Sequence, residues 1–438
     1  MQNHSDEPII NRRQSLFITG SSIISAATTF LVTWLAARSL SPEEGKEFLV
    51  FWSLTSLVFA TLLGVQQESA RLIGATGMPK KGTQDSNTDN LNTQNTYRPI
   101  QVAALVGLTC TLIFVALTPI WIGSVLPQDD LRSILIIATA TTFYACHVYC
   151  IGATAGMRAW TEYALLISTG GVLCLALSAL SSITGAGLFA FQLSFAVTAF
   201  LWLWFVTFSP TVRETTKLRI EGSRRVAYAG MMIAVGTAVA IAAMSVGFPV
   251  FLEATNTEGG SPENIALLAA IILGISITRA PIMLPLQAFQ GVAISYFLSR
   301  SQKPFSALAK PALALIGLGA VGAVAAFLVG PWIFDLIYSN YAGQLSGSFL
   351  AGLTFAAALL AVTTLSGTAA LAMGLHKVYL AGWVLAVTSA FLCLLLPLGL
   401  ESKTILALTV APLFGFAVHL GGMEIQTRSD HARAIDST

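Results

Sequence analysis

The stretch ISITRAPIMLPLQ (275–287) places Arg279 inside a long apolar segment, together with Pro281 and Pro285. A charged side chain near a bilayer centre costs about 3 kcal/mol on insertion scales, so it is retained where it meets a partner or a cavity. A guanidinium matches phosphate oxygens through two parallel hydrogen bonds. Two roles follow: anion capture in a central cavity, or a buried ion pair with an acidic residue on a neighbouring helix. The prolines free backbone carbonyls and bend a helix, which suits one lining a water-filled space, so the anion-binding role is carried forward.

A second set lies in QQESAR (66–71). Glu68 and Arg71 are three residues apart and share a helix face, with Gln67 one turn from Arg71. They form either an intrahelical pair at a helix end or part of a cavity mouth. Ser21, Ser25 and Thr28 make a hydroxyl stripe with Thr29 beside it, and Ala227, Gly230, Ala234, Ala238 and Ala242 make a small-residue stripe. Both stripes suit close helix packing; the first also suits a cavity lining. Arg38 is a further cation near a membrane face, and Asp335 falls at a wetted helix terminus.

Other chemistries lack their residues. CHVYC (146–150) has ligand-type side chains but no second cluster, and all five cysteines lie in apolar runs, so neither a metal, another cofactor nor a disulfide framework is expected. No Walker-type loop is present, which excludes ATP hydrolysis by the chain itself. The outer loops are too short and too poor in acids for a glycosyltransferase, and the major-facilitator loop signature is missing. The chain is expected not to be an enzyme.

The elements that must hold these residues are membrane spans. The chain is 55% hydrophobic and 10% charged, with a mean hydropathy of +0.74, far from a soluble domain. Twelve apolar segments meet the roughly 20-residue requirement: about 14–37, 47–74, 99–126, 131–155, 163–181, 186–208, 225–252, 264–297, 305–337, 347–374, 378–398 and 402–422. Arg12 and Arg13 precede the first, resembling a twin-arginine signal, but the long run without a cleavage site predicts a retained span. With the N-terminus cytoplasmic, 18 basic residues fall inside and 4 outside, with Arg279 between. Both termini are then cytoplasmic, and the eight tryptophans fall near span ends. A net charge of +2 gives no reason to expect a nucleic-acid partner.

A duplication is also legible. Pro119 and Pro331 end matching segments 212 residues apart, and GMRAWTEYALL (156–166) resembles GLHKVYLAGWV (374–384). The expected organisation is a cytoplasmic tail over 1–13, a six-helix lobe over 14–208, a basic linker over 209–224, a second six-helix lobe over 225–422 and a cytoplasmic tail over 423–438. Residues 75–98, rich in Asn, Thr and Gly, predict a flexible cytoplasmic loop.

AARSLSPEEGKEFLVFWSL (36–54), LLGVQQESARLIG (62–74) and GMRAWTEYA (156–164) resemble the polysaccharide and oligosaccharide flippases of the multidrug/oligosaccharidyl-lipid/polysaccharide (MOP) exporter superfamily. Lys46 stands where that pattern commonly has a hydrophobic residue. The resemblance implies an all-α polytopic protein, two six-helix lobes in a V-shaped, alternating-access transporter. It implies translocation of polyprenyl-pyrophosphate-linked oligosaccharide, a cell-envelope polysaccharide precursor, from the cytoplasmic to the outer leaflet. On that basis Arg279, Arg71 and Arg38 are the candidates for the pyrophosphate, and Ser21, Ser25, Thr28, Gln67 and Glu68 for the sugar or the cavity wall. The expected setting is a bacterial cytoplasmic membrane, with a monomer surrounded by membrane lipids and a polysaccharide polymerase or glycosyltransferases as partners. Alternatives are a peptidoglycan lipid-precursor flippase, a cation-coupled multidrug exporter, which should show paired intramembrane acids, and a non-transporting scaffold or polymerase-type enzyme.

Overall fold

The computed structural model describes residues 12–75, 96–126, 131–256, 261–288 and 304–436, with positions 293, 296 and 297. Among them, twelve helical segments are long and apolar enough to cross a membrane. They follow the order of the twelve segments read from the sequence, and the fold is an all-α, MOP-type, twelve-span fold.

The departures are informative. The second span is two helices, Pro42–Thr61 and Leu63–Ala75. At the junction, Leu62 N donates to Phe59 O and Val65 N to Leu62 O, three-residue bonds that tighten the turn. The sixth span is Gly187–Ala196 and Leu201–Phe208, joined by a 3₁₀ turn at Val197–Phe200. The seventh stops at Ser245, and a short helix, Phe248–Ala254, follows. The eighth, Pro262–Ala288, is continuous through both prolines. The twelfth runs on as Leu400–Asp436, past the residue 422 expected from apolarity; helical propagation there is supported by the four-residue-spaced pair of Glu424 and Arg428.

The basic linker is ordered structure. Ser209 caps a helix, Pro210–Lys217, by accepting from Val212 N, and Pro210 supplies the favoured first position. The Tyr149 hydroxyl donates to Thr215 O at 2.8 Å and ties this helix to the fourth span. Ile220–Glu221 then pairs antiparallel with Thr96–Tyr97. Of the expected flexible loop, 76–95 lies outside the described residues.

Two compact units are present. One comprises Met1–Val32, Val58–Ile120 and Asp129–Ala238, so it takes most of the first span, the second half of the second, the third as far as Ile120, spans four to six, the linker and most of the seventh. Its core includes Leu62, Val106, Tyr149, Leu166 and Met231. The other comprises Thr33–Leu57, Trp121–Gln128 and Val239–Thr438. It holds Arg279, and beside the eighth span it has a small core of Ile282, Ala357, Ala358 and Ala361.

Candidate functional site around Arg279

Arg279 lies where the seventh span breaks. In VGFPV (246–250) Pro249 has no N–H, so Ser245 O loses the donor that a continuing helix would give it. Arg279 Nη1 replaces that donor, at 2.8 Å from Ser245 O and 3.3 Å from Met244 O. A helix C-terminus carries partial negative charge, which also favours a cation there. The guanidinium carbon lies 6.0 Å from the centroid of the Phe248 ring. Among the described residues no carboxylate lies within ion-pair distance of Arg279. Among the described residues, carbonyl oxygens rather than the buried salt bridge considered from the sequence hold it. Carbonyl oxygens position one nitrogen, and no hydrogen bond from Nε or Nη2 is found among the described residues. The side chain is half-buried.

The other candidates do not gather around it. Arg71 donates through Nε to Glu68 Oε2 (2.7 Å) and through Nη2 to Glu68 Oε1 (2.6 Å), so its fork is occupied. The Glu68 side chain is 13% exposed and that of Arg71 65%, which places the carboxylate inside and the cation outside. Glu68 lies against Gly230 of the seventh span, where an added Cβ would come within 2.9 Å of Oε1. The same interface brings Gly64 against the Ala234–Val235 backbone at 2.4 Å from a notional Cβ. The small residues of the seventh span thus serve close packing. Gln67 is exposed. Arg38 is exposed and its guanidinium carbon lies 5.2 Å from the centroid of Trp34, one turn back on its own helix.

In the hydroxyl stripe, Thr28 is buried and donates to Ile24 O and Ser25 O. It faces Gly171 of the fifth span, where a Cβ would come within 2.3 Å of its Oγ1. Ser21 is buried and Ser25 half-buried. Thr28 accordingly lies in a helix contact. Asp335 accepts from Gly343 N at 3.0 Å and closes the turn after the ninth span.

Three features escaped the sequence reading. Gly247 and Pro249 were available as a break signal inside the seventh segment. Lys46 makes a 2.8 Å ion pair with Glu253, which accounts for a lysine at a position where a hydrophobic residue was expected. The buried Lys403 donates to Thr255 O at 3.0 Å. Among the described residues no group of three His, Cys, Asp or Glu side chains is placed to hold a metal.

Solved structures with this fold include an inward-facing multidrug resistance MATE family transporter of the MOP superfamily, with a TM-score of 0.62 and 15% identity over 93% of this chain and 99% of that one. A MOP superfamily transporter from Pyrococcus furiosus, described as having a binding pocket of reverse polarity that suggests a different function, gives a TM-score of 0.56 and 15% identity over 94% of this chain and 96% of its own. No family model matches the chain. In sequence, it is 33% identical over 401 residues to the uncharacterized protein Rv3630 of Mycobacterium tuberculosis, covering 91% of this chain and 89% of that protein. It is 32% identical over 407 residues to the uncharacterized protein Rv1510 of the same species, covering 93% and 90%. The chain belongs to the family of these mycobacterial proteins.

Proposed function

We propose that the protein is a transporter that flips polyprenyl-pyrophosphate-linked oligosaccharide from the cytoplasmic to the outer leaflet of a bacterial cytoplasmic membrane, with both termini cytoplasmic. The single observation that carries this reading is Arg279: an intramembrane guanidinium with no carboxylate partner among the described residues, steadied through Nη1 by two backbone carbonyls. An anionic headgroup is the ligand that such a cation lacks. A pyrophosphate accepts from Nε and Nη2 in the bidentate geometry that guanidinium favours. The break in the seventh span fixes the guanidinium, so that less rotamer entropy is lost on binding. The fold supports alternating access between two states of different affinity as the means of transport.

A cation-coupled multidrug exporter is the second reading, favoured by the MATE transporters among the similar structures. It requires an acidic residue free to exchange a cation, whereas Glu68 is held by Arg71 and Glu253 by Lys46.

The deciding experiment follows transbilayer movement of a fluorescent polyprenyl-pyrophosphate oligosaccharide in proteoliposomes. Wild-type protein is expected to move it, Arg279→Ala to lose at least tenfold of the rate, corresponding to about 1.4 kcal/mol or more, and Arg279→Lys to retain part of it. Wild-type protein that moves no lipid but exports cationic dyes against an ion gradient establishes the exporter instead.

A further inference from the structure

A cluster of cations at the linker end of the first unit has no part in the Arg279 site. Ile220–Glu221 pairs with Thr96–Tyr97, setting Tyr97 opposite Ile220 and Thr96 opposite Glu221. Tyr97 and Ile220 pack into the core of the unit. Because successive side chains of a strand point to opposite faces, residues 96, 98, 219 and 221 share the outer face of this ribbon, and all four are exposed. Carried one residue further, the register sets Arg98 directly across from Arg219. Like charges opposed in this way destabilise an antiparallel pair. Arg224 and Arg225, also exposed, open the seventh span, whose first turn holds no acidic residue. A helix N-terminus carries partial positive charge, so cations are disfavoured there as well.

Neighbouring cations are compensated and these four are not. Arg71 is forked onto Glu68, Lys217 pairs with Glu214, and Arg213 donates to Val206 O and Thr207 O. Among the described residues none of Arg98, Arg219, Arg224 and Arg225 makes an ion pair, and Glu221, which shares the ribbon face, makes none either. Segment 76–95 contains Lys80, Lys81, Asp85 and Asp89, so it brings no net charge. The positive-inside bias accounts for the sign of the charge at this end of the spans. It does not account for two arginines set across from each other, where their charge costs stability. An anion held between the guanidiniums removes that cost.

The place of the ribbon selects the anion. Arg98 immediately precedes the third span, Arg225 immediately precedes Val226, and Phe208 ends the sixth. Phe208 and Val226 are 69% and 71% exposed, and in a bilayer those surfaces meet lipid. The arginines therefore stand where the hydrocarbon ends, at the depth of the headgroup phosphates, and a guanidinium takes phosphate oxygens in a fork. We propose that this face docks the phosphodiester headgroup of an anionic phospholipid from the leaflet on its side, cytoplasmic in the orientation proposed above. Arg98 and Arg219 hold the phosphate, and Arg224 and Arg225 stand beside it. The headgroup supplies the negative charge that the ribbon lacks, and binding it steadies the linker between the sixth and seventh spans. The docking stands independently of what the protein transports.

The test is native mass spectrometry of the full protein in detergent, titrated with phosphatidylglycerol or with phosphatidylcholine. The wild type is expected to bind phosphatidylglycerol the more tightly. An arginine near an anionic lipid surface contributes about fivefold in affinity, so Arg98→Gln combined with Arg219→Gln should weaken phosphatidylglycerol binding by about 25-fold. Arg428→Gln, which removes an exposed arginine already paired with Glu424, should leave it unchanged. Arg98→Glu supplies the missing counter-charge from within the ribbon: it should abolish the preference for phosphatidylglycerol while raising the unfolding midpoint measured without lipid, which keeps the test decisive if the glutamine variants fold poorly. Added phosphatidylglycerol should raise the midpoint of the wild type and not that of Arg98→Glu. Equal binding of the two phospholipids by the wild type, or a preference that Arg98→Glu leaves unchanged, overturns the proposal. So does a polyprenyl pyrophosphate that binds at least tenfold more tightly than phosphatidylglycerol and is lost in the same variants, which assigns the face to a transported lipid.

Discussion

The second and eighth spans each carry an arginine, yet they treat charge and backbone in opposite ways. The second carries Glu68 and Arg71 as a closed intrahelical pair and is interrupted at Leu62 without a proline. The eighth carries Arg279 with no acidic partner among the described residues and stays helical through Pro281 and Pro285. The lesson is that an intramembrane arginine is not by itself a site. What separates the two is whether a carboxylate three residues earlier has already filled the fork.

That difference can be erased by one substitution. Ser276 stands three residues before Arg279, as Glu68 stands before Arg71, and its side chain is exposed, donating only to Ile272 O. Ser276→Glu should give the eighth span the same Glu-x-x-Arg pair as the second. Translocation of the lipid-linked oligosaccharide is expected to fall at least tenfold, approaching Arg279→Ala, with the protein still folded. Ser276→Gln, equal in size and uncharged, should retain most of the rate. A Ser276→Glu protein that translocates normally would show that the charge of Arg279 does not meet the substrate.

The two ion pairs made by the second span should also differ in their structural weight. Lys46 and Glu253 have side chains only 20% and 12% exposed, so Lys46→Met leaves a largely buried carboxylate without its cation and should destabilise the protein by about 2 kcal/mol or more. Adding Glu253→Leu should restore most of the loss, since the pair rather than either residue is at stake. Glu68 is as little exposed as Glu253, at 13%, but its cation is 65% exposed, so water reaches the pair, and Arg71→Gln, which keeps an amide donor beside the carboxylate, should cost less, about 1 kcal/mol. Thermal unfolding in detergent, read as a double-mutant cycle for each pair, measures both; equal coupling in the two pairs would contradict the burial argument.

How far the sequence reached follows the same physics. Apolar runs of the required length made the twelve spans legible, because in hydrocarbon the backbone leaves few alternatives to a helix. Arg279 was legible as a charge out of place, and Glu68–Arg71 as a three-residue pair. The partners of Arg279 were not, because they are backbone carbonyls of the seventh span, exposed by Pro249 thirty residues earlier, and a carbonyl has no residue-type signature. The prolines of the eighth span suggested a bend beside water; Pro281 instead lines an apolar cavity, since Leu318, Val329 and Leu350, which make it so, are contributed by distant helices. Lys46 could be recognised as unusual but not paired, as Glu253 is 207 residues away.

The smallest expected effect concerns the duplication expected from the sequence. At the ends of the fourth and tenth spans the chain makes the same turn 216 residues apart: Met157 N donates to Ala153 O and Ala159 N to Thr154 O, as Met373 N donates to Ala369 O and Leu375 N to Ala370 O. The structural correspondence pairs Met157 with Met373, two residues off the match drawn from the glycines at 156 and 374. At the turn's left-handed position the first half has Arg158, with φ 59°, and the second has Gly374, with φ 76°. A left-handed conformation costs a residue with a Cβ roughly 1–2 kcal/mol, while a glycine there loses about 0.4–1 kcal/mol through its freer unfolded chain. Arg158→Gly should therefore stabilise by about 0.5 kcal/mol, and Gly374→Ala should destabilise by a similar or slightly larger amount. Nothing lies within 4 Å of a Cβ built on Gly374, so its cost comes from the backbone alone. Unfolding midpoints of the two variants, moving in opposite directions with translocation unchanged, would confirm that the halves share a turn and differ only in the residue that bears its strain; a shift of the same sign in both would break the equivalence.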